Sequence, residues 1–480
     1  MANASNIRAM PKREVGQTAT TLQWQRTLAA VICSLGGTAF GYDLGALSGA
    51  TQGLVRNYRL SPALFGLTVS ASLWGAVFAS LIAGRLADKL GRRGLLILCA
   101  SVYALAGGML ALPFQWPWSI VLVLRLLSGF TIGGFVVGCP LYLAEIAPRA
   151  LRGRYVGWFQ FQIGAGVVLA FAVSAVLAQR FAEIVAWKWC FGLGAIPPTC
   201  LIALLHWLPE EPHWLAGNGR WNDAAKAARR LGFTEVEWPG ENGSAATLLP
   251  SALSEARLFQ RRYLRAVLLA TSVALFNQFC GVTVLRVYLL DLLSSAGMGR
   301  TLSHGYGVVI SLLNLIALLM GMMVVDKIGR RPLLIWGSAG MAACLFSLAW
   351  ALRHHVEPLF YLGSLIAYNT FFACSQGAAA WVYLSEIFPF PVRGKGQGYG
   401  ALVHWIANAS LIWLFPVMEH ALPQSSFVLF AICMLAQVAI VYLWYPETKG
   451  TPLGDVAEAP RPQVHEPRTV KGLFFQGRQS

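Results

Sequence analysis

Charge is scarce in this chain of 480 residues. Only 12% are Asp, Glu, Lys or Arg, against about a quarter in an ordinary soluble protein, which excludes a water-soluble fold of ordinary composition. Acids are the scarcer sign, at 21 against 37 Lys and Arg. The nine cysteines (33, 99, 139, 190, 200, 280, 344, 374 and 433) form no CxxC pair and all fall in apolar segments. They read as small buried hydrophobes, not as a disulfide framework or metal site. The sequence shows no metal-ligand cluster, phosphate-binding loop, nucleophile arrangement or ATPase motif. An enzyme is therefore not expected, nor a cofactor, and uphill work would have to draw on an ion gradient. A cleavable signal is also lacking, because the first 26 residues are polar and basic.

Apolar residues are abundant, at 56%. They come in runs of about 20, enough to cross about 30 Å of hydrocarbon as helices. The reading is an all-α, multi-pass membrane protein with the lipid bilayer as its solvent. Twelve spans are predicted: 27–49, 62–84, 94–113, 119–144, 155–180 and 187–208, then 263–293, 302–325, 332–352, 358–385, 396–418 and 425–445. They make two six-helix bundles, 27–208 and 263–445, joined by a linker at 209–262 and flanked by tails at 1–26 and 446–480.

The net charge of +16 raises nucleic acid as a partner, but the distribution argues for membrane topology. Of the 37 Lys and Arg, 29 lie in the tails, the linker and alternate loops. Six lie in the opposite loops and two, Arg125 and Arg286, inside spans. By the positive-inside rule both termini are expected in the cytoplasm. A cell membrane is the expected location, the bacterial inner membrane in particular, and the protein is expected to be monomeric. Within the linker, Gly219–Phe233 alternates apolar and basic residues at helical spacing, which predicts a short amphipathic helix.

The two bundles echo each other. PLYLAEIAPRALRGR (Pro140–Arg154) returns as WVYLSEIFPFPVRGKG (Trp381–Gly396), with Glu145 and Glu386, and Arg152 and Arg393, both 241 residues apart. GRLADKLGRR (Gly84–Arg93) returns as VVDKIGRR (Val324–Arg331), and PEEPHWL (Pro209–Leu215) as PETKG (Pro446–Gly450). Three motifs repeated in order at nearly one offset mark an internal duplication.

This set of motifs, in this order, resembles the sugar porter family of the major facilitator superfamily, from about residue 27 to 450. The resemblance implies the major facilitator fold, with two pseudo-symmetric six-helix bundles around a central site that opens alternately to each side. It also implies a salt-bridge lock across the seam between bundles, at Asp88, Arg92, Glu145, Arg152, Asp326, Arg330, Glu386 and Arg393. Taken singly, each of these is also explained as a helix cap or a positive-inside anchor.

Asp43 lies within the first span and Arg125 within the fourth. A carboxylate at helix centre costs about 2.5–3.5 kcal/mol on insertion scales, so Asp43 needs a partner, and Arg125 is the natural one. The pair is either a static structural link or a proton switch. In proton-coupled sugar porters an Asp and an Arg occupy the matching positions, so the resemblance implies proton symport.

Sugar recognition suits planar amides and aromatic faces. Gln160, Asn277, Gln278, Asn314, Trp381, Trp405 and Asn408 supply them at positions where the family binds substrate, although a lone amide in a span is often interhelical glue. The seventh span departs from the family pattern QQxxGINxxxYY. Asn277 stands for the first Gln, Thr283 for the Asn and Val287 for the first Tyr, leaving Tyr288 as the second. His404 precedes Trp405 where relatives often carry an amide, and QGAAAW (Gln376–Trp381) replaces a proline-rich run. Arg286 stands where an apolar residue is usual. It could snorkel to the surface, pair with Asp43 or Asp291 as an outer gate, or capture an anionic substrate such as a sugar acid or cyclic hydroxy acid. The leading expectation is proton-coupled uptake of a monosaccharide, hexose or pentose, or a related polyol. A sugar-acid symporter, a facilitative uniporter and a non-transporting sugar receptor are the alternatives.

Overall fold

The computed structural model describes residues 14–148, 151–233, 257–354, 356–389, 392–422 and 425–449, with side chains from Trp24 onward except that of Arg152. The first half holds α1 (Glu14–Tyr58), α2 (Pro62–Leu90), α3 (Arg92–Ala111), α4 (Trp118–Ile146) and α5 (Arg152–Arg180). Its sixth span is α6 (Glu183–Gly192) joined by a short 3-10 turn to α7 (Ile196–Leu205). In the linker are α8 (Pro212–Gly217) and α9 (Trp221–Arg230). The second half opens with α10 (Leu264–Phe279), α11 (Val282–Val287) and α12 (Leu289–Ser295), together the seventh span. Then come α13 (Arg300–Ile328), α14 (Arg330–Arg353), α15 (Pro358–Cys374), α16 (Gln376–Glu386), α17 (Arg393–Ala421) and α18 (Ser425–Trp444). Among the described residues eleven spans are long and apolar enough to cross a membrane. The tenth in order, broken between α15 and α16, completes the twelve.

Two spans expected to be continuous are interrupted. The seventh breaks at Gly281, whose φ of +84° is a left-handed conformation that residues with a Cβ rarely adopt. The tenth breaks at Ser375, where φ is −115° and ψ is −84°. Broken spans are tolerated at membrane depth where other groups satisfy the freed backbone. Here the Tyr368 hydroxyl donates to the Cys280 carbonyl at 2.8 Å.

Within the first half, α1 packs on α5 and α2 on α4 at close range. A Cβ on Gly41 would sit 1.9 Å from the Ile163 carbonyl oxygen, and one on Gly129 would sit 1.7 Å from that of Ser72. Small residues let backbones approach this closely where hydrocarbon supplies no hydrophobic drive. The halves meet along α2 with α17 and α5 with α13.

Among the described residues the basic turn at 85–93 and the linker helices α8 and α9 lie together at one end of the first half. There the segment read as a loop at 85–93 is almost wholly helical. Gly91, at φ +81°, turns α2 directly into α3, and Gly329, at φ +103°, turns α13 into α14. Glu210 accepts from the amides of Arg93 and Gly94, and Glu447 from those of Arg330 and Arg331. The repeated PE motif thus caps the first turn of the third and ninth spans, satisfying donors that a helix start leaves unpaired.

The same turns place the repeated charges. Arg92 binds Glu145 through Nε at 3.0 Å and Nη2 at 2.9 Å, and Arg330 binds Glu386 at 3.1 and 2.8 Å. Asp88 and Asp326 flank these pairs at 3.5 and 2.9 Å while largely exposed. These two arginine–glutamate pairs lie within a half and not across the seam. Each of these arginines, set on the first turn of α3 or α14, meets the glutamate at the end of the neighbouring span in its own half. Arg393 donates to the Phe388 carbonyl at 3.3 Å, also within its half, and the side chain of Arg152 lies outside the described residues.

Candidate functional site

Two polar clusters sit inside the spans, one in each half. In the first, Arg125 on α4 donates to both carboxylate oxygens of Asp43 on α1, at 2.5 and 3.1 Å. Its Nη2 also reaches the Ser72 hydroxyl at 2.8 Å, and the Tyr103 hydroxyl donates to Asp43 at 3.2 Å. The Arg125 guanidinium stands 4.5 Å from the ring centre of Phe191. Asp43 and Arg125 are 2% and 1% exposed, so the charge is compensated within the protein. Two-point pairing with arginine is among the strongest hydrogen-bonded arrangements open to a carboxylate. The close approach of α2 to α4 at Gly129 makes Ser72 a third partner. Ser72 and Tyr103 carry no sequence motif, and nothing in the sequence places them at the site.

The second cluster lies where the broken spans face each other. Asn277, in the last turn of α10, donates to the Gln376 backbone carbonyl at 3.3 Å. Gln278 donates to Asn277 at 3.1 Å and lies 3.2 Å from the His404 ring nitrogens. Thr283 donates back to Gln278 at 3.1 Å. Gln376 in turn donates to Gln437 on α18 at 2.5 Å. The His404 ring packs 4.8 Å from Trp381 and 5.5 Å from Trp405. Trp405 reaches the other half, 5.7 Å from Phe40, one turn before Asp43 on α1. A pocket of about 10 Å³ opens between Asn277, Trp381 and His404, room for about one water.

The structure therefore brings Asn277, Gln278, Thr283, His404, Trp381 and Trp405 together. Asn408 is buried on α17, its carbonyl oxygen without a partner among the described residues. Gln160 and Asn314 are half-buried. Asn314 donates to the Asn369 carbonyl at 3.2 Å, and among the described residues no hydrogen bond ties Gln160 to the cluster. Gln376 and Gln437, both wholly buried, are central to it, and sequence reasoning misses both as site residues. Gln376 has one signal, its place in the altered run before Trp381. Gln437, a single amide in an apolar span, has none.

Toward the end opposite the basic loops the halves are joined by polar contacts. Gln52 donates to Asp291 at 3.0 Å, and the Leu290 amide to the Ser48 hydroxyl at 3.2 Å. Glu183 bridges Arg56 at 2.6 Å and Arg300, of the other half, at 3.8 Å. Val287 is fully buried there, and Tyr288 packs against Phe415 and Phe65. Arg286 pairs with neither Asp43 nor Asp291, which have Arg125 and Gln52. Among the described residues it has no ion pair or hydrogen bond, and Tyr368 and Cys280 are titratable groups near it.

Comparison with known proteins fits this architecture. The profile of the sugar (and other) transporter family matches residues 29–459. The glucose transporter GlcP of Staphylococcus epidermidis is 31% identical over 434 residues, covering 89% of this chain and 96% of its own length. The D-xylose-proton symporter of Escherichia coli is 28% identical over 480 residues, covering 92% and 96%. The partially occluded, inward-open structure of the xylose transporter XylE from E. coli superimposes with a TM-score of 0.78 at 26% identity, covering 89% of this chain and 99% of that one. These relatives are transporters and not enzymes. By sequence, by its twelve spans and by its internal duplication, the chain belongs to the sugar porter family of the major facilitator superfamily.

Proposed function

We propose that the protein is a secondary active transporter that takes up a monosaccharide together with a proton. The observation that carries this reading is the Asp43–Arg125 pair, buried one helical turn from Phe40, which touches Trp405 of the amide cluster. If protonation of Asp43 releases Arg125, the pairing energy is lost and α1 is free to shift against α4. A sugar that rearranges Trp405 and Phe40 acts on the same helix. Proton and sugar then bias one conformational equilibrium, which is the requirement for coupling. The amide groups of Asn277 and Gln278, the Thr283 hydroxyl and the His404 ring offer hydroxyl-matching donors and acceptors, and Trp381 and Trp405 offer apolar ring faces. Gln160, Asn314 and Asn408 complete the set from neighbouring spans. No cofactor takes part, and the proton gradient is the driving force. The end with the basic loops faces the cytoplasm of a cell membrane, and the protein works as a monomer. The charges at Asp88, Arg92, Glu145, Arg152, Asp326, Arg330, Glu386 and Arg393 form the lock across the seam that holds the outward-open conformation.

The test uses protein in liposomes, with external pH followed in weak buffer while hexoses, pentoses, inositol and gluconate are added singly. One sugar should alkalinise the medium, and Asp43→Asn should abolish that signal while radiolabelled exchange persists. Exchange with no pH change in the unmodified protein would make it a uniporter. Arg286 supports a second reading, because an arginine inside a span with no described ionic partner suits an anionic sugar acid. Alkalinisation with gluconate alone, lost in Arg286→Leu, would favour it.

A further inference from the structure

A sizeable cavity lies away from the centre of the bundle. It lies at the basic end, under the start of α3, where α8 and α9 fold against the first half, and its volume is about 370 Å³, within the range of small-molecule sites. The linker is held there by named contacts. The Trp214 indole donates to the Asp88 carbonyl at 2.7 Å. Arg26 binds the Leu231 and Gly232 carbonyls, both at 2.6 Å. The second half has the matching turn at Gly329 and the matching cap at Glu447, but no helices corresponding to α8 and α9 among its described residues.

The cavity is lined by both apolar and cationic side chains. Leu90, Ile97, Trp214 and Leu215 supply apolar surface. Arg93, Arg230 and Lys226 supply positive charge. Arg93 is held by the Leu205 and His206 carbonyls and Arg230 by the Trp207 carbonyl. Carbonyls orient a guanidinium without cancelling its charge. Lys226 is exposed, and no ion pair is described for it. Of the two acids present, Asp223 is paired with Arg220 at 2.8 Å, whereas Glu210 accepts from the α3 amides, which orient its carboxylate and leave its charge in place. Arg93, Lys226 and Arg230 therefore outweigh the single remaining acid, Glu210, and the lining is net cationic.

The depth of the cavity in the membrane selects the occupant. Trp207 beside it is 76% exposed, and Leu90 and Leu98 on the adjoining helices are 44% and 43% exposed. An exposed tryptophan next to exposed leucines at the end of a span marks the level of the lipid headgroups. We propose that this cavity binds the phosphate of an anionic glycerophospholipid, with its glycerol and upper acyl chain against the apolar side chains. An amphiphile with an anionic head matches both kinds of lining, whereas a soluble phosphate uses the cations alone.

Trp214 provides the readout. Brominated phosphatidylglycerol and brominated phosphatidylcholine are titrated into purified full-length protein in nonionic detergent, and tryptophan quenching is followed. The Trp214→Phe variant identifies the component that arises in the cavity. Phosphatidylglycerol should quench that component saturably and phosphatidylcholine should not. Lys226→Glu with Arg230→Glu should weaken the phosphatidylglycerol response by more than about tenfold, given roughly fivefold per basic residue near an anionic lipid. The single variants Lys226→Ala and Arg230→Ala, on the exposed face of α9, should each give an intermediate loss if the double variant misfolds. Equal quenching by both lipids, or an unchanged affinity in all variants, would overturn the proposal. So would displacement of the lipid by glycerol 1-phosphate at equal concentration, since that would identify a soluble phosphate site.

Discussion

Asp43 and Gln278 show how differently two buried polar residues announce themselves. A carboxylate in an apolar run is conspicuous, and the arginine that must answer it is one of two in the spans. Both are therefore legible in the sequence alone. Gln278 is legible only through its motif, and its partners are not. That His404 sits between Gln278 and two tryptophans depends on how α10 and α17 cross, which no local pattern records. Ser72, Gln376 and Gln437 are unreadable for the same reason. At this scale Gln278→Ala should raise the KM for sugar roughly tenfold or more, because a buried donor and acceptor are lost and Thr283 and His404 are left unpaired. Gln437→Leu should instead lower thermal stability in detergent by roughly 1–3 kcal/mol, through the orphaned Gln376 amide. Its KM should change little, which initial uptake rates would check.

At the scale of the element, ten spans are readable from hydropathy and length, as unbroken apolar runs should be. The seventh and tenth are readable in place but not in their breaks. Gly281 leaves a trace of the first break, since a lone glycine in a span is a candidate for positive φ. Ser375 leaves none, because the residue at the break is neither proline nor glycine. Gly281→Ala forces a Cβ into a left-handed residue, 2.5 Å from the Phe430 ring. It should destabilise the protein by at least 1–2 kcal/mol, as a rough figure for such strain. Gly363→Ala, inside α15 with nothing within 4 Å of the added carbon, should be neutral or slightly stabilising by helix propensity. Thermal unfolding of the two variants side by side checks both expectations.

For the molecule as a whole, the duplication and the orientation of the charges are evident from spacing, and which face of the bundle is closed is not. That depends on contacts such as Gln52 with Asp291 and Glu183 with Arg300, between residues that no repeat connects. The Glu183–Arg300 pair is partly exposed, so it contributes about 0.2–1 kcal/mol. Its loss should shift the population toward the other conformation by up to about fivefold. Leu290→Cys, in a background free of native cysteines, should then react faster with a membrane-impermeant maleimide when Arg300→Ala is added. An unchanged rate would mean that the aromatic seal of Tyr288 and Phe415 holds this face without the ion pair.

The amide cluster has one more consequence, which concerns throughput. Asn277, Gln278, Thr283 and Gln376 are bonded to one another or to close neighbours, so a sugar that meets them must exchange one hydrogen bond for another. Each new contact replaces an old one, and the gain is only the difference, about 0.5–1.5 kcal/mol per hydrogen bond. A handful of such exchanges amounts to roughly 4–6 kcal/mol, a dissociation constant from about a millimolar down to some tens of micromolar. That ceiling suits a turnstile. Cargo held more firmly would ride through the cycle and stay aboard, whereas cargo held by exchange is let go as readily as it was taken on, with the vacated groups simply closing on each other again.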